Sequence, residues 1–143
     1  MKVTITISVL SVFLTTPSTQ CLECGTEEQK NESPSSVRAQ ELDQASFDAE
    51  IKSGVVLVDF WATWCLPCRM QGPIVDRVAA QVEGKAKVAK LNVDKARSIA
   101  KQFGIQSIPA LVVLKDGKVQ KQFVGLTRAR TLISAISCAV GSK

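Results

Sequence analysis

The chain has 143 residues, 45% of them hydrophobic, which suits one small globular domain and is too short for two. Its net charge of +5 conceals a split, because residues 21–50 carry eight acidic against two basic side chains and residues 51–143 carry five against fifteen. The basic part has neither interleaved aromatic and basic residues nor a recognition motif, so we expect no nucleic-acid partner.

The first 18 residues have the layout of an export signal. Met1 and Lys2 are followed by a mostly apolar, uncharged run over residues 3–14 and then by a short polar stretch with Pro17. The run is too short to predict a membrane span, and we expect no stable insertion of the mature chain. Alternating apolar residues over 3–9 leave a β-strand as the alternative. The leader predicts an exported protein, periplasmic or extracellular, and a cytoplasmic location is the alternative.

Residues 19–36 are predicted to be a flexible acidic linker, because they are rich in Glu, Ser, Asn and Pro. Cys21 and Cys24 form a C-x-x-C pair in this region, without a predicted strand or helix beside them. In an exported chain we expect a local structural disulfide between them. An electron relay to Cys65 is the alternative.

Residues 37–143 are predicted to form one domain, because apolar runs alternate there with helical patterns. The predicted strands span Val55–Trp61 and 87–93, and the predicted helices span 43–52, 65–82 and 96–103. Asp43 is the expected cap of the first helix, Pro73 should kink the second, and Gly104 should close the third.

A hairpin and a last helix complete the domain. Ala110–Lys115 and Lys118–Val124 flank Asp116-Gly117, a pair typical of tight hairpin turns. In the helix expected over 127–140, the apolar residues that define the inward stripe are Leu132, Ile133, Ile136 and Val140. Cys138 faces away from that stripe and is expected to be a partly exposed free thiol. The whole pattern predicts an α/β fold, a central mixed β-sheet with helices on both faces.

Two cysteines at the predicted junction of a strand and a helix point to redox chemistry. The motif is Trp64-Cys65-Leu66-Pro67-Cys68, and such a pair can alternate between dithiol and disulfide with little backbone movement. A thiolate at Cys65 would lie against unpaired N–H groups at the start of the helix, which lower its pKa, so Cys65 is the expected attacking sulfur. Cys68, one turn further on, is the expected resolving sulfur, less exposed to partners. Pro67 suits the first helical turn.

Asp59 is a carboxylate within an otherwise apolar strand. Burial disfavours its ionised form, so its pKa should rise and it could accept and donate a proton near neutral pH. An aspartate that bonds the next loop from the end of the strand is the alternative.

These motifs together resemble the thioredoxin family over about residues 42–140. The resemblance rests on VDFWATWCLPCRM at 58–70, Pro73, Lys90 within 88–94, Ile108-Pro109 ahead of a strand, and Phe123-Val124-Gly125. Leu66 departs from the family pattern, which usually has glycine between the cysteines. A bulky apolar side chain at this position should alter the redox potential and the fit of partners.

The resemblance assigns roles to several residues beyond the cysteines. It implies that Asp59 transfers a proton to and from Cys68 through water and that Lys90 pairs with Asp59; a solvent-facing lysine is the alternative. It also implies that the Ile108-Pro109 bond is cis, beside the two cysteines, where the Ile108 backbone can pair with an extended substrate and metal capture is hindered. The alternative is an ordinary turn proline. The resemblance places Trp64 on the rim of the partner-binding groove. The alternative is that Trp64 is an aromatic residue of the core.

We therefore predict a thiol–disulfide oxidoreductase that reduces protein disulfides, with Leu66, Pro67 and Lys90 tuning its potential. It needs no organic cofactor and no metal. Its expected partners are disulfide-containing proteins and an upstream electron donor, either a thioredoxin reductase or a membrane thiol donor, and a monomer is expected. The first alternative is an exported oxidase or isomerase with the same residues. A metal-binding module or a non-catalytic interaction protein is the second, although zinc sites need closer ligand spacing than the two cysteine pairs offer.

Overall fold

Five strands and four helices alternate in the computed structural model, which describes residues 37–142. The strands are β1 (Gln40–Leu42), β2 (Val55–Trp61), β3 (Lys87–Asn92), β4 (Ala110–Lys115) and β5 (Lys118–Val124). The helices are α1 (Phe47–Ile51), α2 (Leu66–Val82), α3 (Arg97–Gln102) and α4 (Ala129–Gly141). The proposed leader, the acidic linker, Cys21 and Cys24 lie outside the described residues.

The strands form one mixed sheet in the order β1-β3-β2-β4-β5. β1, β3 and β2 run parallel, whereas β4 is antiparallel to β2 and to β5. β2 is central, and six of its seven residues are buried. A strand buried on both faces reads as a continuous apolar run, which explains its sequence. The predicted α/β fold is confirmed.

Alternate residues of β2 face two separate cores. Val56, Val58 and Phe60 pack in one core with α1 and α3, and Val55 and Leu57 pack in the other with α2 and α4. Asp59 follows Leu57 by two positions, so its side chain points toward the α2 side of the sheet. The alternation thereby places a carboxylate beneath the helix that carries Cys68.

The hairpin prediction is confirmed, and so is the closure of α3. Asp116 and Gly117 have φ angles of 48° and 76°, and Gly104 follows α3 with φ of 64°. Positive φ at both central residues is what a tight hairpin turn of this hand requires. The expected kink at Pro73 stays a prediction; α2 continues through that residue.

Three predictions about elements were wrong in detail. β1 was missed, because it has three residues of which only Leu42 is buried. The first helix starts at Phe47 and not near Asp43, whose carboxylate instead accepts hydrogen bonds from the N–H groups of Ala45 and Ser46 in a turn. In α4 the inward residue near the end is Ala139, while Val140 is 45% exposed.

Of the helices in residues 37–142, none is long and apolar enough to cross a membrane.

Candidate active site

The cysteine pair lies where the chain leaves β2 and enters α2. Cys65 has an extended backbone and caps α2, and its Sγ accepts a hydrogen bond from the Cys68 N–H at 3.2 Å. The two residues form a disulfide with their Cα atoms 5.3 Å apart. Pro67 lies in the first turn, as expected. Cys65 and Cys68 are 4% and 5% exposed, so the expected difference in exposure is not present in the disulfide form.

Large apolar side chains surround this disulfide at the surface. Trp64, Leu66 and Met70 are 66%, 69% and 63% exposed. Trp64 is therefore a rim residue and not a core aromatic, and its Nε1 donates to Asp94 Oδ2 at 3.0 Å. Exposed apolar surface of this size beside a reactive group indicates a surface that binds partners.

Asp59 is almost fully buried, with 1% of its surface exposed. Burial raises the pKa of its carboxyl from 3.8 to about 7; Lys90 opposes this shift and Asp76 adds to it. Within residues 37–142 its Oδ1 has no hydrogen-bond partner, and neither has Nε1 of the neighbouring Trp61. The carboxyl is thus held close to the pH at which it can both accept and release a proton.

A small cavity connects Asp59 with Cys68. It has a volume of about 180 Å³ and is lined by Asp59, Cys68 and Lys90, together with Glu41, Trp61, Arg69 and Gly72. Its volume has room for water, and the Asp59 and Lys90 side chains in its lining supply the polar partners that water needs. Water in this cavity would link the carboxyl to the sulfur of Cys68.

The predicted ion pair between Asp59 and Lys90 is wrong. The two residues are opposite each other in the β2–β3 register, but Lys90 Nζ bonds Asp76 Oδ1 at 2.8 Å. Asp76 lies on α2 and is partly exposed, whereas Asp59 is buried in the sheet. Lys90 consequently affects Asp59 through space and not through a bond.

Ile108 and Pro109 lie directly before β4; Ile108 is half-buried and Pro109 is buried. The peptide bond between them is cis, as the resemblance implied, and Ile108 packs against the cluster that contains both cysteines. Pro109 O accepts a hydrogen bond from the Gly125 N–H at 2.8 Å. In the described part of the chain the Ile108 backbone forms no main-chain hydrogen bond, which leaves it available to an extended peptide.

The sequence analysis missed Gln71 and Asp76. Gln71 is fully buried on α2, one turn after Cys68. The oxygen and the nitrogen of its side-chain amide each form a hydrogen bond with the Thr127 backbone. A helical spacing of inward residues could have revealed it, because positions 68, 71, 75, 78 and 82 form one stripe. Asp76 could not be found in this way, because its contact with Lys90 depends on how α2 crosses β3.

Cys138 is exposed on α4, and within residues 37–142 it is the one cysteine outside the disulfide. In the same part of the chain no group of three or more Cys, Asp or Glu side chains is placed to hold a metal ion.

Comparisons with known proteins agree with this geometry. The family model described as Thioredoxin matches residues 38–138. Thioredoxins of Staphylococcus aureus strains Mu50 and MW2 are each 46% identical over 92 residues, which is 64% of this chain and 88% of theirs. Among solved structures, a mutant thioredoxin from Halobacterium salinarum NRC-1 matches with a TM-score of 0.68 and 31% identity, covering 74% of this chain and 94% of that one.

Proposed function

The chain belongs to the thioredoxin family, and we propose that it works as a reductase of protein disulfides. Family membership supports thiol–disulfide oxidoreductase activity with a dithiol pair at Cys65 and Cys68. The proposal adds the net direction of electron flow and the role of each residue.

The reductive cycle starts from the dithiol. The Cys65 thiolate attacks one sulfur of a substrate disulfide, and the other substrate sulfur leaves as a thiolate that takes up a proton. Cys68 then loses its proton toward Asp59 and attacks Cys65 Sγ, which releases the second substrate sulfur. Two electrons pass to the substrate, and the protein ends as the Cys65–Cys68 disulfide. An upstream dithiol donor, a thioredoxin reductase or a membrane thiol donor, must then restore the dithiol.

One observation carries the proposed roles in this cycle: the buried Asp59 carboxyl, with its pKa raised to about 7, shares a cavity with Cys68. A resolving thiol must be deprotonated to attack, and a nearby base with a pKa close to the working pH assists that step best. The helix start supports Cys65 as the nucleophile, because the Cys68 N–H points at its sulfur and would stabilise a thiolate.

An oxidase or isomerase is the second candidate, and Leu66 is the observation that favours it. This side chain is 69% exposed between the two cysteines, where the family usually has glycine. Residues between the cysteines touch both the start of the helix and the docking surface, so they affect the relative stability of dithiol and disulfide.

The redox potential of the pair distinguishes the two candidates. Known potentials are about −270 mV for thioredoxin, about −180 mV for protein disulfide isomerase and about −120 mV for the oxidase DsbA. Equilibration against glutathione should give a value closer to the first of these than to the other two, and the reduced protein should turn over insulin disulfides. A potential near that of the isomerase or the oxidase would contradict the reductase proposal in favour of the second candidate.

We also propose that the protein is exported and acts as a monomer in the periplasm or outside the cell. The support is the leader-like pattern at 1–18, which lies outside the described residues. The mature chain should then begin near Thr19, with Cys21 and Cys24 oxidised to each other. N-terminal sequencing of protein from its native host tests this: an intact Met1 in a cytosolic fraction would contradict export and favour the cytoplasmic alternative.

A further inference from the structure

Gln71 makes an unusual contact for a fully buried polar side chain. Its Nε2 donates to Thr127 O at 3.1 Å, and its Oε1 accepts from the Thr127 N–H at 2.8 Å. The amide therefore satisfies both main-chain polar groups of one residue, as a neighbouring strand would. Thr127 lies between β5 and α4, so this contact ties α2 to a connection that is 56 residues away in the chain.

The connection that Gln71 holds is hydrogen-bonded to the loop at Ile108-Pro109, and Ile108 packs against the cluster that contains both cysteines. Thr127 Oγ1 donates to Gly125 O at 3.2 Å, and the Gly125 N–H donates to Pro109 O at 2.8 Å. Hydrogen bonds thus run without a break from Gln71 through Thr127 and Gly125 to Pro109. Leu126, within this segment, is 51% exposed.

Gln71 is also fixed relative to the reactive sulfurs. It follows Cys68 by three residues on the buried stripe of α2, so the two side chains lie on the same face of the helix within one turn. The contact therefore couples the position of Cys68 to the position of the segment 125–127.

We propose that Gln71 is a positioning residue that sets the distance between the Cys65–Cys68 pair and the substrate-binding segment formed by Pro109 and 125–127. The inference rests on the proposed function and deepens it. Gln71 should matter for large substrates, which must contact the surface around the cysteines while one of their sulfur atoms reaches Cys65. A small aromatic disulfide needs only the sulfur and does not use that surface.

The test compares Gln71→Leu with the native protein on two substrates. Insulin is the protein disulfide, and 5,5′-dithiobis(2-nitrobenzoate) is the small one. Gln71→Leu removes both hydrogen bonds and frees the segment 125–127, which must then be ordered when a large substrate binds, so we expect the KM for insulin to rise about fivefold or more. The rate with the small disulfide and the redox potential should stay within about twofold of the native values, since the sulfur chemistry is untouched.

Two further variants keep the test decisive. Val78→Ala truncates another fully buried side chain of α2 that makes no hydrogen bond to 125–127, and it should leave the KM for insulin unchanged. Gln71→Met is close to glutamine in size and flexibility and also removes both hydrogen bonds, so its KM should match that of Gln71→Leu protein. If Gln71→Leu does not fold, Gln71→Met decides alone.

Some outcomes overturn the inference. An unchanged KM for insulin in the folded Gln71 variants would do so, and so would an equal rise in Val78→Ala or an equal loss with the small disulfide. Failure of the native protein to turn over insulin would instead contradict the proposed function, and this inference with it.

Discussion

At the scale of single residues, the buried carboxyl of Asp59 makes the folding stability depend on pH. Its carboxyl is 1% exposed and its pKa is raised to about 7, chiefly by burial. The folded state therefore retains a proton that the unfolded chain, with an ordinary aspartate pKa, releases several pH units lower. The contribution of Asp59 to stability is present in full below about pH 4, is lost as pH rises toward 7, and changes little above that pH.

We predict that Asp59→Asn removes this dependence. The shift from 3.8 to about 7 corresponds to roughly 4 kcal/mol as an upper value. The variant should therefore gain stability relative to the native protein as pH rises from 4 to 7. Urea unfolding of both oxidised proteins at several pH values measures the difference. A difference that does not vary with pH would show that Asp59 is ionised in the folded state throughout this range.

Leu66 carries the second residue-scale prediction. Leu66→Gly should move the redox potential toward about −270 mV, the value of ordinary thioredoxins, and change partner preference. The domain should stay folded, because Leu66 is 69% exposed and glycine in a helix costs about 1 kcal/mol. Equilibration with glutathione and rates with two protein substrates are the measurements. If neither changes, Leu66 is a tolerated replacement without a redox role.

Some site residues could be predicted from the sequence and others could not. Cys65, Cys68 and Asp59 are encoded locally, because a C-x-x-C after an apolar strand and a carboxylate inside that strand are visible in one short segment. The partner of Lys90 is not local. Asp59 and Asp76 both lie near it in the fold, and the contact with Asp76 depends on how α2 crosses β3, which the sequence does not reveal.

At the scale of elements, the strands and helices with many buried residues were found and the marginal one was missed. β2 and β4 have seven and six residues and are apolar except for Asp59 and Lys115, a pattern that indicates central strands. β1 has three residues and gains its structure from parallel pairing with β3, a contact far away in sequence. Helix ends shifted by one to four residues, since caps such as the Asp43 turn compete with helix starts.

The last helix offers a prediction about its buried stripe. Leu132→Ala should destabilise the protein by about 2 to 5 kcal/mol, because Leu132 is fully buried between α4 and the sheet and truncation leaves a cavity. Val140→Ala is the matched control on the same helix; Val140 is 45% exposed, so we expect a change of about 0.5 kcal/mol or less. Urea unfolding measures both. Similar losses in the two variants would contradict the stripe that the structure defines.

At the scale of the whole molecule, the groups to which we assign a role in thiol exchange all belong to the domain that the structure describes. The pair at Cys65 and Cys68, the carboxyl of Asp59 and the loop at Ile108-Pro109 all lie between residues 59 and 127. The acidic region with Cys21 and Cys24 lies outside the described residues, and its pattern lacks the elements that make a cysteine reactive.

We therefore predict that a double variant, Cys21→Ser with Cys24→Ser, keeps its kcat/KM for insulin within about twofold of the native value, since thiol exchange needs only the attacking and resolving sulfurs. Insulin turnover with a dithiol donor is the measurement. A loss of tenfold or more would support the alternative, in which the first pair relays electrons to Cys65.

Capture of the mixed disulfide tests the assignment of Cys65 and Cys68 most directly. Reduced Cys68→Ser protein, mixed with insulin, should form a stable covalent adduct through Cys65, because no second sulfur can resolve it. Cys65→Ser protein should form none at a comparable rate and should not reduce insulin. Mass spectrometry of the adduct identifies the linked cysteine. An adduct through Cys68, or full insulin reduction by Cys65→Ser, would contradict the account.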